Sequence, residues 1–225
     1  MVLAVTPFEF KQCIGILKST GKKARNVKEL SNFIGSVSDE CIFHHTYQYF
    51  LKEHVLEYTN DFAQWVGESL EERSLAEQLS NIDPYRFETI RDVRQEFQHV
   101  ITGYMEGSPE PREARRGDEF YFNETVTLVF PVGIWVRNLA EFLMAMKVIE
   151  RGSIYYHFYE ARVRVKERVD DFSKWISDVL GENDLAMHIQ SIDPFMHNVE
   201  EIRHYIGDAV EEWVRKDMER MVRSK

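Results

Sequence analysis

The chain has 225 residues, of which 44% are hydrophobic and 13% aromatic, enough apolar surface for the core of one large domain or two ordinary ones. Its net charge of -10 divides evenly, because residues 1–112 hold 12 basic and 17 acidic groups and residues 113–225 hold 16 and 21. This charge argues against general binding to nucleic-acid phosphates, and the lack of a run of about 18 uncharged apolar residues argues against a membrane span.

The main feature of the sequence is an internal duplication, in which residues 8–105 recur in altered form as residues 120–214. The spacing between matched positions is first 112 residues, then 110 and finally 109. Matched pairs include Phe8/Phe120, Phe10/Phe122, Asn26/Asn138, His45/His157, Asp61/Asp171, Trp65/Trp175, Pro84/Pro194 and Arg94/Arg203. This regularity predicts two copies of one structural unit. We therefore predict repeats at 1–105 and 119–225, joined by the linker 106–118 and packed as one pseudo-symmetric body.

Each predicted repeat begins with an aromatic-rich segment, Phe8–Lys18 or Phe120–Phe130, which ends near a glycine. The β-branched run Thr125–Val129 favours a strand in the second copy, whereas the apolar spacing in the first copy also suits a helix. The conformation is therefore left open. One strand per repeat has no partner inside its own repeat, so strands here would pair with each other, or each segment would form a short hairpin.

Capping signals predict five helices, A to E, in each repeat. Helix A begins after Asn26 and Asn138, each of which is followed three residues later by glutamate, the spacing of a capping box. The other predicted starts are about Ser38 and Ser153 for helix B, about Asn60 and Asp170 for helix C, around Leu75–Leu79 for helix D, and Asp83-Pro84 and Asp193-Pro194 for helix E. The predicted fold class is mainly α: a tandem pseudo-two-fold repeat of helical units, each preceded by at most one short β-strand or hairpin.

The two cysteines, Cys13 and Cys41, correspond to Thr125 and Ser153 in the second copy. A structural disulfide is therefore not part of the repeated unit, which is typical of the reducing cytoplasm. The opening decapeptide is apolar but too short for the hydrophobic region of a signal peptide and has no basic start. We expect a cytoplasmic protein.

The histidines that match between the copies are His45 and His157, both on helix B. If helix C packs against helix B, Asp61 and Asp171 approach the two imidazole rings. One hypothesis places all four residues at a cleft between the repeats, as the acid–base groups of an enzyme or as metal ligands. The hypothesis that we favour gives each histidine a hydrogen bond inside the core and makes each aspartate a helix cap.

A basic turn precedes helix A of the first copy. Lys22, Lys23 and Arg25 lie just ahead of a helix N-terminus, where backbone N–H groups favour a bound anion, and Arg137 stands at the matching position of the second copy. The turn lacks the glycine spacing of a phosphate-binding P-loop. We favour a solvated turn and keep a small anionic-ligand site at these four residues as the alternative.

Two further patterns are weak. The segment from Val27 to His44 has the order of a helix-turn-helix, but its second helix opens with Asp39 and Glu40 and offers no basic residue before Lys52, which disfavours DNA binding. The histidines His44, His45 and His54 lack the spacing that places two ligands on one helix face. We therefore predict no metal site and no cofactor.

Four segments carry a resemblance to a known family. They are Thr20–Asn26, Ile42–Tyr47, Asn60–Trp65 and Leu75–Pro84. Together they resemble an uncharacterised domain family of bacteria and archaea, and the resemblance covers most of both copies. That family has no assigned activity, so the resemblance implies a shared fold and carries over no catalytic residue.

The function predicted from sequence is therefore a non-catalytic binding or interaction protein of the cytoplasm. Its partner would be another protein or a small anionic ligand, and neither nucleic acid nor membrane is expected. The alternatives are an enzyme or metal-binding protein that uses the His/Asp cluster and, less favoured, a helix-turn-helix DNA binder. The sequence does not indicate an oligomeric state.

Overall fold

The computed structural model describes residues 6–48, 57–107, 112–164 and 168–223. They divide into two compact units, which we call the central unit and the terminal unit. The central unit is Gly15–Thr127, and the terminal unit combines Met1–Ile14 with Leu128–Lys225. The terminal unit thus includes the start of the chain as well as its second half.

Two long strands account for this division. Strand β1 covers Phe8–Ala24 and strand β2 covers Phe120–Val136, each 17 residues long, and they form a two-stranded antiparallel sheet. The first seven residues of β1 belong to the terminal unit, and the first eight residues of β2 belong to the central unit. Pairing of the two aromatic segments, which the sequence left open, is therefore observed.

The predicted fold class was wrong, because strands of this length make the protein a mixture of helices and sheet. The physical reason is visible at the strand starts. Phe8 and Phe10 are buried while Glu9 between them is less so, and Phe120 and Phe122 are buried on either side of exposed Tyr121. This alternation is the two-residue period of a strand with one buried face, and it overrides the helical spacing further along the segment.

The central unit contains five α-helices within its described residues. They are α1 Val27–Ile34, α2 Asp39–Thr46, α3 Asp61–Glu68, α4 Arg73–Ser80 and α5 Ile90–Gly107. Their apolar faces meet in one core, and its large fully buried side chains include Phe62, Phe97, Leu30 and Ile34. The start of β2 closes this core with Phe120 and Phe122.

The terminal unit follows a similar order within its described residues. Its helices are α6 Leu139–Met146, α7 Arg151–Ile154, α8 Ala161–Arg164, α9 Asp171–Asp178, α10 Asn183–Gln190 and α11 Val199–Arg223. A π-helical turn, Tyr155–Glu160, connects α7 to α8. None of the helices within the described ranges is long and apolar enough to cross a membrane.

The predicted caps of helix A and the predicted starts of helix C are confirmed. The Asn26 and Asn138 side chains accept the N–H of Glu29 and Glu141, and the two glutamates in turn accept the N–H of the residue before each cap. Asn60 and Asp170 cap α3 and α9 in the same way.

The predicted start of helix E was wrong. Asp83 caps only a single 3₁₀ turn, Pro84–Arg86, and α5 begins later, at Ile90. Phe87 ends the turn in an extended conformation, so the cap and the proline begin a connection and not the helix. The start of α11 at Val199, five residues after Pro194, shows the same delay.

Both cysteines are free and buried, Cys13 in the terminal unit and Cys41 in the central unit. Burial, with Glu160 near Cys13 and Glu124 near Cys41 acting in the same direction, raises the pKa of each thiol to about 12. At pH 8 we therefore expect both to react with a disulfide reagent at least about a hundredfold more slowly in the native protein than in the urea-unfolded chain, because the thiolate is the nucleophile.

Single-cysteine variants make this measurement specific to each unit. Cys13→Thr and Cys41→Ser introduce the residue found at the matching position of the other copy, and the remaining thiol then reports the opening of its own unit. Stoichiometric labelling of either variant within seconds under native conditions would contradict the burial.

Candidate functional site

A histidine–aspartate pair in the terminal unit attaches the start of β1 to the helices. His157 lies on the π-helical turn with its side chain 4% exposed, and its Nδ1 lies 2.8 Å from Oδ2 of Asp171. On the other side of the ring, the backbone N–H of Lys11 donates to Nε2 at 2.8 Å. Because a backbone N–H can only donate, Nε2 carries no proton, and Nδ1–H donates to the carboxylate.

The contacts around Lys11 extend this attachment. Ser153 Oγ donates to the Lys11 carbonyl at 2.7 Å, and Cys13 Sγ lies 3.6 Å from the Gly152 carbonyl. A Cβ added at Gly152 would lie 2.6 Å from the Cys13 carbonyl oxygen, so only glycine lets the strand approach this closely. The rings of Phe8, Phe10 and Phe172 surround the imidazole.

The central unit contains the matching pair. His45 on α2 is 3% exposed, its Nδ1 lies 2.7 Å from Oδ2 of Asp61, and the backbone N–H of Asn123 in β2 donates to its Nε2 at 3.0 Å. His45 therefore has the same tautomer as His157, with the proton on Nδ1. Both ring nitrogens have a partner, so each histidine joins a strand to the first turn of a helix, α3 or α9.

The structure places the four residues predicted as weak catalytic candidates in two histidine–aspartate pairs. His45 meets Asp61 inside the central unit, and His157 meets Asp171 inside the terminal unit. Neither aspartate is the N-cap that the favoured hypothesis made it, because Asn60 and Asp170 are the N-caps of α3 and α9. The aspartates instead lie in the first turn, where they orient the rings.

A pocket in the central unit opens beside His45. Its volume is about 410 Å³, and its walls include His44, Asp61, Glu68, Glu119 and Tyr121. Nitrogen and oxygen atoms of His44, His45 and Asp61 that could ligate a metal all lie within 4.8 Å of one another. Sequence spacing missed this group because Asp61 comes from another helix. His54, the third histidine of the sequence cluster, lies outside the described residues.

His44 already has polar partners at this pocket. Its Nδ1 lies 2.6 Å from Thr125 Oγ1 and 3.1 Å from Gln48 Oε1. The second copy has Tyr156 at the matching position. The His44 side of the pocket is therefore particular to the central unit.

The cations of the basic turn face acceptors of their own unit. Lys22 Nζ donates to the Ser36 carbonyl at 3.0 Å, Lys23 lies 3.3 Å from Glu119, and Arg25 lies 3.6 Å from Glu29. Lys23 and Arg25 line one pocket of about 430 Å³ together with Glu29, Asn32 and Phe33. An anion entering it would have to compete with these carboxylates.

Arg137 holds the matching position in the terminal unit, next to the cap of α6. Its backbone N–H donates to Glu141 Oε2 at 2.7 Å. Lysines equivalent to Lys22 and Lys23 are missing from this copy, where Ile134 and Trp135 stand instead. The four predicted anion-binding residues therefore divide between the units, three in the central unit and one in the terminal unit.

A buried ion pair in the terminal unit was missed from the sequence. Asp170 is fully buried, accepts the N–H and the hydroxyl of Ser173 at 2.8 and 2.7 Å, and lies 3.4 Å from the Arg162 guanidinium. Burial raises the pKa of this carboxyl group, while Arg162 and Ser173 act in the opposite direction. Arg162 also donates to the Gln190 carbonyl at 3.1 Å.

At the matching helix cap, the central unit has an uncharged residue, Asn60, in place of the Asp170–Arg162 ion pair. Asn60 caps α3, and its own side-chain amide donates directly to the Leu79 carbonyl at 2.9 Å. In the terminal unit the Arg162 guanidinium makes this link for Asp170. No sequence pattern indicated Arg162, because its pairing with Asp170 depends on how α8 packs against the cap of α9.

No curated protein matches the chain. The fold is similar to the structure of OrfY from Thermoproteus tenax, with 35% sequence identity and a TM-score of 0.77 over 93% of this chain and 96% of that chain. A model for a family of unknown function, DUF5752, matches residues 5–211. Since this match covers most of its length, the chain belongs to that family, DUF5752.

Proposed function

We propose that this is a non-catalytic binding protein in which the two histidine–aspartate pairs hold strands in place. The observation that carries the proposal is the backbone N–H donated to each Nε2, by Lys11 in one unit and Asn123 in the other. A general base needs a nitrogen that can take a proton from a substrate. Here that nitrogen is occupied by the protein's own backbone.

The surroundings of the two pairs support the same conclusion. Each histidine is buried and packed against phenylalanines, while the neighbouring side chain differs between the units, as His44 and Tyr156 do. A structural anchor needs only the buried part to be alike. Buried free thiols at Cys13 and Cys41 are compatible with the reducing cytoplasm as its location.

For the bound molecule we propose a protein partner or a small anionic ligand. The pocket beside Lys23 and Arg25 supports the anionic alternative, because two cations share one cavity wall. Titration with inorganic phosphate, followed by calorimetry, tests it. Binding that is lost in the double variant Lys23→Ala, Arg25→Ala supports this site, and an unchanged signal in that variant would rule it out.

The non-catalytic proposal predicts a specific histidine tautomer. In long-range ¹H–¹⁵N NMR spectra at pH 7 we expect His45 and His157 to show a protonated Nδ1 and an unprotonated Nε2. Exposed His188 serves as the control for a freely exchanging ring. An Nε2 that is protonated or exchanges like that of His188 would contradict the anchor.

An activity screen tests the proposal from the other side. The purified chain and its His45→Gln and His157→Gln variants are compared on ester, phosphoester and peptide substrates. We expect no turnover above the level of a heat-denatured sample. Turnover that either variant abolishes, while the protein remains folded by circular dichroism, would establish an enzyme.

A second candidate function is metal binding in the central unit, favoured by the proximity of His44, His45 and Asp61. Such a site requires His45 to give up either Asp61 or the Asn123 N–H. Zinc titration by calorimetry, with His44→Tyr as the variant, tests it, because tyrosine is the residue of the other copy. Tight binding that this variant removes would support the site, and binding at millimolar concentrations only would exclude it.

A further inference from the structure

In the central unit, a short stretch of the chain occupies a groove between the cap of α1 and the start of α4. The Ala114 N–H donates to the Arg25 carbonyl at 2.7 Å, and the Asn26 side-chain amide donates to Glu113 at 2.6 Å. Ala114 is partly buried against the core. The stretch is therefore bound by a backbone hydrogen bond, by the Glu113 side chain and by one small apolar side chain.

Arg112, two residues before Ala114, provides the charged part of this contact. Its guanidinium lies 3.4 Å from the Glu72 carboxylate and donates to the Glu71 carbonyl at 3.2 Å. Tyr104 donates to the same Glu72 carboxylate from α5. The groove thus recognises an arginine, an intervening residue and an alanine.

The terminal unit has a groove built in the same way. Glu182 precedes α10 with nearly the same backbone angles as Glu72 before α4, and its N–H donates to Ile176 as that of Glu72 does to Val66. Trp213 of α11 donates to the Glu182 carboxylate at 3.0 Å, in the position of Tyr104. At the other end of this groove lies Asn138, the N-cap of α6.

Within the described part of the chain, this second groove is a cavity of about 330 Å³. Its lining combines the Glu182 carboxylate and the Asn138 amide with Trp213 and apolar side chains, among them Leu139, Val214 and Met218. The longer helix α11, with 25 residues against 18 in α5, supplies Met218 at one end. The one carboxylate in a mostly apolar lining favours a cationic group on a peptide chain.

We propose that the groove of the terminal unit binds an extended peptide segment of a partner protein that contains the pattern Arg-x-Ala. The arginine pairs with Glu182, the N–H of the alanine donates to the Arg137 carbonyl, and its methyl group packs against Leu139 and Val214. This assignment rests on the binding function proposed above and specifies the partner's chemistry. It also gives Arg137 a role, through its carbonyl oxygen.

The experiment uses the full chain and a fluorescein-labelled peptide, Arg-Glu-Ala-Arg-Arg-Gly, with the sequence of residues 112–117. Fluorescence anisotropy gives its affinity. Peptides with the first arginine replaced by alanine, and with the same residues in scrambled order, control for general attraction to an acidic protein. We expect both control peptides to bind at least about tenfold more weakly, since one charge-assisted hydrogen bond is lost.

Variants of the protein locate the binding. Glu182→Gln is expected to weaken the peptide about tenfold, whereas Asp184→Asn, the same change of charge at an exposed position two residues later, leaves the affinity within about twofold. Val214→Glu is a second groove variant, which places a side chain in the site of the alanine. Circular dichroism checks that each variant is folded.

Two results would overturn the proposal. They are equal binding of the scrambled peptide, and unchanged affinity in both Glu182→Gln and Val214→Glu. Neither bears on the histidine tautomers or the activity screen. Failure of the groove and failure of the non-catalytic proposal are thus separate outcomes.

Discussion

Replacing Arg162 with methionine is expected to lower the free energy of unfolding by about 3–5 kcal/mol, because it leaves the Asp170 carboxylate buried without its cation. Methionine retains the apolar stem of the side chain, which limits the loss of packing against Phe158. The same change removes the donor to the Gln190 carbonyl. Urea unfolding followed by tryptophan fluorescence measures the effect.

The companion variant Asp170→Asn separates charge from packing. Asparagine is the residue that caps the matching helix in the central unit, where it needs no cation. We therefore expect the double variant Arg162→Met, Asp170→Asn to recover at least half of the lost stability, so that the double-mutant cycle shows strong coupling. Lys174→Met, which removes an exposed ion pair with Asp178, should change stability by less than about 0.5 kcal/mol.

The effect should also depend on pH. Burial raises the pKa of Asp170 in the folded protein above its unfolded value, so the folded state holds the proton more tightly. This group therefore contributes stability at low pH that is lost as the pH rises through its folded pKa. The destabilisation by Arg162→Met should shrink as the pH falls and Asp170 is protonated. A loss that is equal at pH 4 and pH 8, or that persists in the double variant, would contradict a charge effect.

Much of the local structure could be predicted from the sequence, because it depends on neighbouring residues. The Asn26 and Asn138 caps need only a glutamate three residues later, and they are observed. The start of helix E was not predictable in this way. Asp83 and Pro84 fit a 3₁₀ turn as well as a helix, and tertiary packing of the following residues decides between them.

The strands illustrate the same limit at a larger scale. Seventeen residues in each of β1 and β2 form the sheet, although only the run from Thr125 to Val129 carried a clear strand signal. The unit in which Phe8 and Phe10 are buried is the one that contains His157. No local pattern reports such a contact, because it joins residues about 150 positions apart in sequence.

The candidate site shows which parts of a pair can be predicted. The internal duplication indicated the side chains that form the Nδ1–carboxylate hydrogen bonds: His45 with Asp61, and His157 with Asp171. The partner of each Nε2 is a backbone N–H of a strand, and every non-proline residue has such a group, so sequence carries no signal for it. This backbone donor, which the sequence does not indicate, is what distinguishes a strand anchor from an acid–base group.

The anchor predicts the consequence of removing one ring. In His157→Leu, the Lys11 N–H loses the acceptor and Asp171 loses the donor that the imidazole ring provides, at a side chain that is only 4% exposed. We expect the free energy of unfolding to fall by about 2–4 kcal/mol, the sum of an unsatisfied backbone donor and a lost charge-assisted bond. Hydrogen exchange should show a larger change at the Lys11 amide than at amides of α9.

Hydrogen exchange at this one amide is the decisive measurement, because a packing defect and a lost anchor both lower global stability. If the ring only fills space, leucine restores most of the volume and the Lys11 amide remains as protected as in the parent chain. If Nε2 holds the strand, protection of Lys11 falls at least about tenfold, even at low urea. His45→Leu should expose the Asn123 amide in the same way, and exposed His188→Leu should expose neither. An anchor requires that one strand loses protection while the helices of the same unit do not lose a comparable amount. A uniform loss of protection across the unit would instead make the histidine an ordinary core residue.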